Sequence, residues 1–268
     1  NRIIVIQKAN GGIGSAYKMA FDVMTGDFIL FVDSDDWLEL NAVEELLKLA
    51  TFNDADLVSF GIKAVDDGGK ELQSPSFMSI NEINISNEAI LKTHFEVLKH
   101  PTLVRLYKKT LFDDIFILEQ NIGIDEMLTP QLLLKCNRAV YTTVVYYNVL
   151  VRTDSVCRAV YNDVKVLQTI KVYQYLSNLF NTKIEKYQDV IYYKYLQIVN
   201  GMMFGHNKSE YKLVPETVKL LKQEFEQNFK LYAESKKIQQ FSTRERISMH
   251  LNFNDYLRWL LNLKRSNT

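Results

Sequence analysis

The stretch that most restricts what this chain can fold into is an apolar run, Phe28-Ile-Leu-Phe-Val32, that leads directly into Asp33-Ser34-Asp35-Asp36-Trp37. Five apolar residues, two aromatic and two β-branched, predict a strand buried on both faces. Three carboxylates within four residues of its end repel one another, and keeping them all ionised beside an apolar strand requires compensating positive charge or water. A divalent metal suits this ligand type. Mg²⁺ or Mn²⁺ takes hard oxygen ligands and is commonly held by one or two carboxylates, with substrate phosphates completing the shell. A solvated acidic turn capping a strand is the ordinary alternative for so short a pattern, so the surrounding sequence has to decide.

With 268 residues, 47% hydrophobic and 24% charged, the chain has the composition of a globular protein with one large domain or two smaller ones. Cys136 and Cys157 are too few for a disulfide framework and lack metal-type spacing, which points to a reducing, cytoplasmic compartment. Net charge is zero but unevenly spread: residues 1–60 hold 4 Lys/Arg against 10 Asp/Glu, and residues 207–268 hold 12 against 7. The basic excess of the tail is modest, and no nucleic-acid partner is expected from it. No run of 18 apolar residues and no signal peptide is present, so no membrane span is expected.

Asn1-Arg2 leads straight into Ile3-Ile-Val-Ile6, which reads as a strand without a preceding cap, as though the sequence began inside a domain. Gln7–Gly14 is a turn rich in residues that tolerate positive φ. Ala16, Met19, Ala20, Val23 and Met24 then mark one apolar helix face that Gly26 can terminate. Strand, Gly-rich loop, helix and second strand predict a βαβ unit with two parallel strands and a ligand crevice at their carboxyl ends. Gly12-Ile-Gly14-Ser-Ala-Tyr17 fails the dinucleotide pattern at Tyr17, and no Lys-Ser or Lys-Thr pair makes a phosphate loop. The glycines are therefore expected to let the backbone turn near a ligand.

Further on, Asn41 is placed to cap a helix through Ala50, with Glu44 completing a capping box. Leu57–Ile62 reads as a strand ending in an Asp66–Gly69 turn, residues 70–85 as a loop, and Ser86 to about Lys99 as a helix stopped by Pro101. A short helical turn is expected over Thr110–Ile115. Asp125 and Glu126 open a helix that runs through Lys135, in an apolar context; first-turn helix acids favoured by the dipole are the plain reading, a chemical role the other. Ala139–Val149 reads as a strand and Arg152–Ser155 as a loop. Beyond about Val156 the period is helical throughout: Lys165–Phe180, Lys183–Phe204, Val214–Tyr232 and Thr243–Leu263. The last of these has one apolar face with Arg258, Lys264 and Arg265 outside it; such a face packs on its own protein or lies peripherally on a membrane surface.

Read together, Asn10–Ala16 (N-G-G-I-G-S-A), Thr25–Trp37 (T-G-D-F-I-L-F-V-D-S-D-D-W), Val104–Phe112, Gly123–Glu126 (G-I-D-E) and Tyr147–Ser155 resemble the family 2 glycosyltransferases of bacterial surface polysaccharide synthesis. The resemblance covers roughly residues 1–158. It implies the α/β GT-A fold, a Rossmann-like mixed sheet flanked by helices, followed by an α-helical C-terminal region from 159 to 268. The family's opening strand, helix and second strand are expected upstream of Asn1, which would leave the fold N-terminally incomplete. The resemblance implies that Asp33 and Asp35 approach the donor ribose and the Mg²⁺ or Mn²⁺ on its diphosphate. Asp36 and Trp37 would border the acceptor, Asp125 would be the general base with Glu126 beside it, and Asn10, Gly12 and Arg152 would contact the donor. The family's usual Glu before the base is Ile124 here, and its Arg-Asn after the N-G-G segment is Tyr17-Lys18.

The activity so implied moves a sugar from a nucleotide-diphosphate-sugar to a hydroxyl of a saccharide or lipid-linked saccharide acceptor. One base on the face opposite the leaving group predicts inversion. Two alternatives stand beside it: a degenerate glycosyltransferase-like domain that only binds, and a phosphatase resembling the haloacid dehalogenase family, whose pattern wants Thr or Val where Trp37 sits.

Overall fold

The computed structural model describes residues 3–72, 80–98, 104–151, 162–208 and 213–234, in two compact units, Asn1–Ala159 and Val160–Thr268. The first unit is built on one mixed six-stranded sheet of β1 (Phe28–Leu30), β2 (Trp37–Leu38), β3 (Leu57–Val65), β4 (Glu82–Asn84), β5 (Arg105–Lys108) and β6 (Ala139–Leu150). The order is β1-β5-β3-β6, with β2 and β4 on the far side of β6. There β4 pairs with Ala139–Tyr141, and β2 pairs with Tyr147 and Asn148. Only β3 and β6 pair in parallel, Leu57 opposite Ala139 through Val65 opposite Leu150; the other pairings are antiparallel. It follows that β1, β3 and β6 run the same way and present their carboxyl ends at one end of the sheet.

The residues explain this order. Leu57–Phe60 are all buried, as a strand covered on both faces requires, and β3 lies inside the sheet. Helix α2 (Ala42–Phe52) sets Ala42, Leu46 and Ala50 at helical spacing into a core with Val58, Phe60, Leu106, Val140, Tyr146 and Tyr147. Helix α4 (Ile124–Lys135) is buried at Ile124 and from Met127 to Leu133, which explains why its sequence shows no polar face. Helix α1 (Gly12–Val23) and α3 (Asn87–Lys92) complete the unit.

Several expectations are corrected. Ile3–Ile6 joins no strand among the described residues, and its side chains are exposed, Val5 by 77%. An apolar run becomes a strand only where a neighbour supplies ladder hydrogen bonds, and periodicity cannot report the neighbour. The βαβ unit is therefore replaced by α1 followed by β1. That strand is shorter than the apolar run and only half-buried, because it lies at the end of the strand order and pairs solely with β5, Phe28 opposite Lys108. Residues 70–85 include β4. Helix α3 gives way at Thr93 to a π-helical turn through Leu98. Glu44 forms no capping box, because the Asn41 side chain makes no cap bond and Glu44 instead pairs with Lys48 at 2.7 Å.

The second unit is helical: α5 (Asp163–Lys183), α6 (Gln188–Lys208) and α7 (Pro215–Glu234). The Asn162 side chain caps α5 by accepting the Lys165 N–H at 2.9 Å. Tyr173 and Tyr195 stack at 4.9 Å in its core, and the Tyr195 hydroxyl donates to the buried Glu224 at 2.6 Å. No helix among the described residues is long and apolar enough to cross a membrane. The predicted Thr243–Leu263 helix and Cys157 lie outside the described residues; Cys136 is buried as a free thiol.

Candidate active site

Leu30 ends β1 at one edge of the sheet, and Trp37 begins β2 beside β6, four strand positions away. At the usual strand spacing that is about 19 Å. Residues 31–36 cross it over the carboxyl ends of β5's neighbours, which is why the acidic residues stand where an α/β sheet binds its ligands. Asp33 through Asp36 form a turn closed by the Asp36 N–H on the Asp33 carbonyl at 3.1 Å.

The three acids do different things in that turn. Asp36 faces β6: one carboxylate oxygen accepts the Tyr147 hydroxyl at 2.9 Å and the other accepts the Leu150 N–H at 2.8 Å. Tyr147 in turn accepts the Asp33 N–H at 3.0 Å. Asp33 is exposed and Asp35 half-buried. Although Asp33 keeps access to solvent, protein crowding around its carboxylate first, then the negative charges of Asp36, Asp125 and Asp35, raise its pKa above the usual carboxylate range. After the turn, Trp37 is 43% exposed on β2, held by Asn148, whose side-chain amide donates to the Trp37 carbonyl at 3.3 Å and to Glu39 at 3.1 Å.

Asp125 reaches the same place from another segment. It stands in the first turn of α4, after Gly123 in the left-handed conformation at φ 71°. Its carboxylate meets solvent, yet protein crowds it closely enough that burial raises its pKa. The docking of α1 against the segment before α4 explains the approach. Gly14 donates its N–H to the Gln120 carbonyl at 2.9 Å, and Ile13 donates to the Asn121 side chain at 3.1 Å. A Cβ on Gly14 would lie 1.9 Å from the Leu118 carbonyl oxygen, and Gly12 combines φ +85° with a backbone contact at Gln120. The glycines thus serve backbone contact between two protein segments, where a turn around a ligand was expected. Asn10 accepts the Gly12 N–H at 3.1 Å, which fixes the helix start.

Tyr17 is the residue that sequence reasoning passed over. One turn beyond Gly14, its ring packs 5.0 Å from Phe31, just ahead of Asp33. Burial, then the charges of Asp33 and Asp125, push its hydroxyl pKa up to about 12. The spacing Gly14–Tyr17 on the docked face of α1 is the signal that could have found it. Glu126 is half-buried beside Asp125, and Arg152 lies outside the described residues.

Asp33, Asp35, Asp36 and Asp125 are therefore brought together from two segments about ninety residues apart. Among the described residues no three His, Cys, Asp or Glu side chains are arranged to hold an ion alone. Hard oxygen donors, too few for a closed protein cage, fit Mg²⁺ or Mn²⁺ in its usual setting, where phosphate oxygens and water supply the remaining ligands.

Residues 1–116 match the family described as glycosyl transferase family 2. Over these residues the sequence is similar to that family. The family 2 match over the first unit, with its mixed sheet and flanking helices followed by a helical C-terminal region, makes the fold GT-A-like. A curated relative, glycosyltransferase GlyA of Streptococcus pneumoniae serotype 4, is 27% identical over 165 residues, 59% of this chain and 24% of its own length. A second, the poly(ribitol-phosphate) β-N-acetylglucosaminyltransferase TarS of Staphylococcus aureus, is 26% identical over 150 residues, 54% of this chain and 25% of its own. The matched stretch thus spans about a quarter of each of these relatives. A crystal structure of S. aureus TarS 1–349 in complex with UDP-GlcNAc covers 88% of this chain and 74% of its own, at 15% identity and a TM-score of 0.48, too distant a likeness to carry an argument about the site.

Proposed function

We propose that the chain is a metal-dependent, inverting family 2 glycosyltransferase that moves a sugar from a nucleotide-diphosphate-sugar to a hydroxyl of a saccharide or lipid-linked saccharide in surface polysaccharide synthesis. The observation that carries this reading is the approach of Asp125 to the Asp33–Asp36 turn, near enough for its charge to help raise the Asp33 pKa. Asp33 and Asp35 are the carboxylates that would hold Mg²⁺ or Mn²⁺ against the donor. When bound, such an ion neutralises the charge that develops on the leaving diphosphate.

This chain's own residues supply the rest. Asp125, ionised, takes the proton of the acceptor hydroxyl as it attacks; its raised pKa makes it a stronger base than an ordinary aspartate. Trp37 offers an exposed aromatic face beside the turn to an acceptor sugar. In-line attack would depend on the crossing segment and α4 holding the two groups of acids in a fixed orientation.

Two substitutions separate the roles. Asp35→Ala is expected to abolish the rise in Tm produced by Mn²⁺ with a nucleoside diphosphate; equal rises in variant and wild type would remove the metal assignment. Asp125→Asn is expected to keep that rise and to lower the transfer rate by about 10²–10⁴-fold in a radiolabelled-sugar assay. Undiminished turnover would exclude Asp125 as base. A wild-type chain that binds the donor, turns over no acceptor and responds to neither change would favour the binding-only alternative.

A further inference from the structure

Tyr147 is buried to 0% exposure in β6, and its ring belongs to the core that α2 covers. A buried phenol needs a hydrogen-bond partner, and one suffices. Tyr147 has two, both on the acidic turn: its single proton goes to Asp36 at 2.9 Å, and its oxygen accepts the Asp33 N–H at 3.0 Å. The same residue also sets the far side of the turn, because Leu38 of β2 lies opposite Tyr147 in the ladder and Trp37 opposite Asn148. Asp36 closes the arrangement by accepting the Leu150 N–H at 2.8 Å, at the last residue of β6. Bonds of this kind to a carboxylate are short and about twice as strong as neutral ones.

We propose that Tyr147 is a positioning residue for sugar transfer: its hydroxyl pins the Asp33–Asp36 turn to β6, so that Asp36 serves as a latch and Asp33 and Asp35 remain presented to the donor diphosphate. The inference rests on the donor-side reading of Asp33 and Asp35. It reassigns Asp36 from the acceptor border to the support of the turn.

Tyr147→Phe keeps the ring and removes only the hydroxyl. Hydrogen exchange on the ligand-free chain is expected to show the Asp33 and Asp36 amides exchanging faster by at least about tenfold, with the β3–β6 ladder protected as in wild type. The Kd for Mn²⁺ with the best of UDP, GDP, dTDP and CDP is expected to rise by at least about tenfold. Tyr146→Phe, next to it in the strand with its ring packed edge-on against Phe60, is expected to change neither. Unchanged exchange in the turn, or unchanged affinity in folded Tyr147→Phe, overturns the proposal. If Tyr147→Phe loses protection throughout, Asp36→Asn replaces it: this variant removes the charge and one acceptor, and unchanged affinity there is equally decisive against the latch. Absence of binding in the wild type as well overturns the donor-site reading, and the latch with it; the proposal alone fails when the wild type binds and the variant binds as well.

Discussion

At the scale of single residues, the site holds carboxylates under pressure. Asp33 and Asp125 both have pKa values raised above the ordinary 3.8, by burial in each case and, for Asp33, by its acidic neighbours as well. A raised carboxylate pKa in the folded state means that the unfolded chain loses its proton first as pH rises. Stability from these two groups is complete below the ordinary Asp range and is lost as pH climbs through their raised values. At neutral pH the metal-free site is therefore a liability. Asp33→Asn is expected to raise the Tm of the metal-free chain at pH 7 by a few degrees while abolishing its response to Mn²⁺ and nucleotide; a fall in Tm would show that Asp33 is compensated in the native state. Cys136 and Tyr17 titrate far from this range, since burial pushes each up to about 12.

At the scale of elements, α1 matters for what it docks against. Its first turn gives backbone donors and close contacts to residues 118–121, and those residues lead into Gly123 and the first turn of α4. Helix propensity alone would reward Gly14→Ala by about 1 kcal/mol. The added methyl would meet a backbone carbonyl, and overpacking of that kind commonly costs about 1–3 kcal/mol. Gly14→Ala is thus expected to lower the urea midpoint and to reduce transfer more than donor binding, because it displaces the segment carrying Asp125 and leaves the Asp33–Asp36 turn in place. Equal losses of both would mean that α1 supports the whole site. The sequence pattern located α1, α2, α4, β3 and β6 because each has a run or a period long enough to read. It could not locate β2 and β4, two and three residues long, which exist only because β6 offers an edge to both.

At the scale of the whole molecule, protons and metal compete for one group of acids drawn from both ends of the first unit. Because ionised carboxylates are the proposed ligands, the stabilisation by Mn²⁺ with nucleotide is expected to grow as pH rises from the ordinary Asp range towards neutrality, as the proton leaves Asp33, whose pKa is raised. A Tm difference that stays flat across that window would separate metal binding from Asp33. The sequence by itself determined the chemistry on offer: an acidic D-S-D-D after an apolar run, an Asp at the head of an apolar helix, and a helical second half, since each is a local pattern of residue type and period. Only the tertiary structure decided what those groups do together. It replaced the expected parallel βαβ unit by an edge strand, turned Asp36 onto Tyr147 and Leu150, and set Tyr17 beside Asp33 and Asp125. The reason is physical: hydrogen bonds and charge interactions depend on distance in space, and Asp33 and Tyr147 are 114 residues apart along the chain but 3.0 Å apart in the fold.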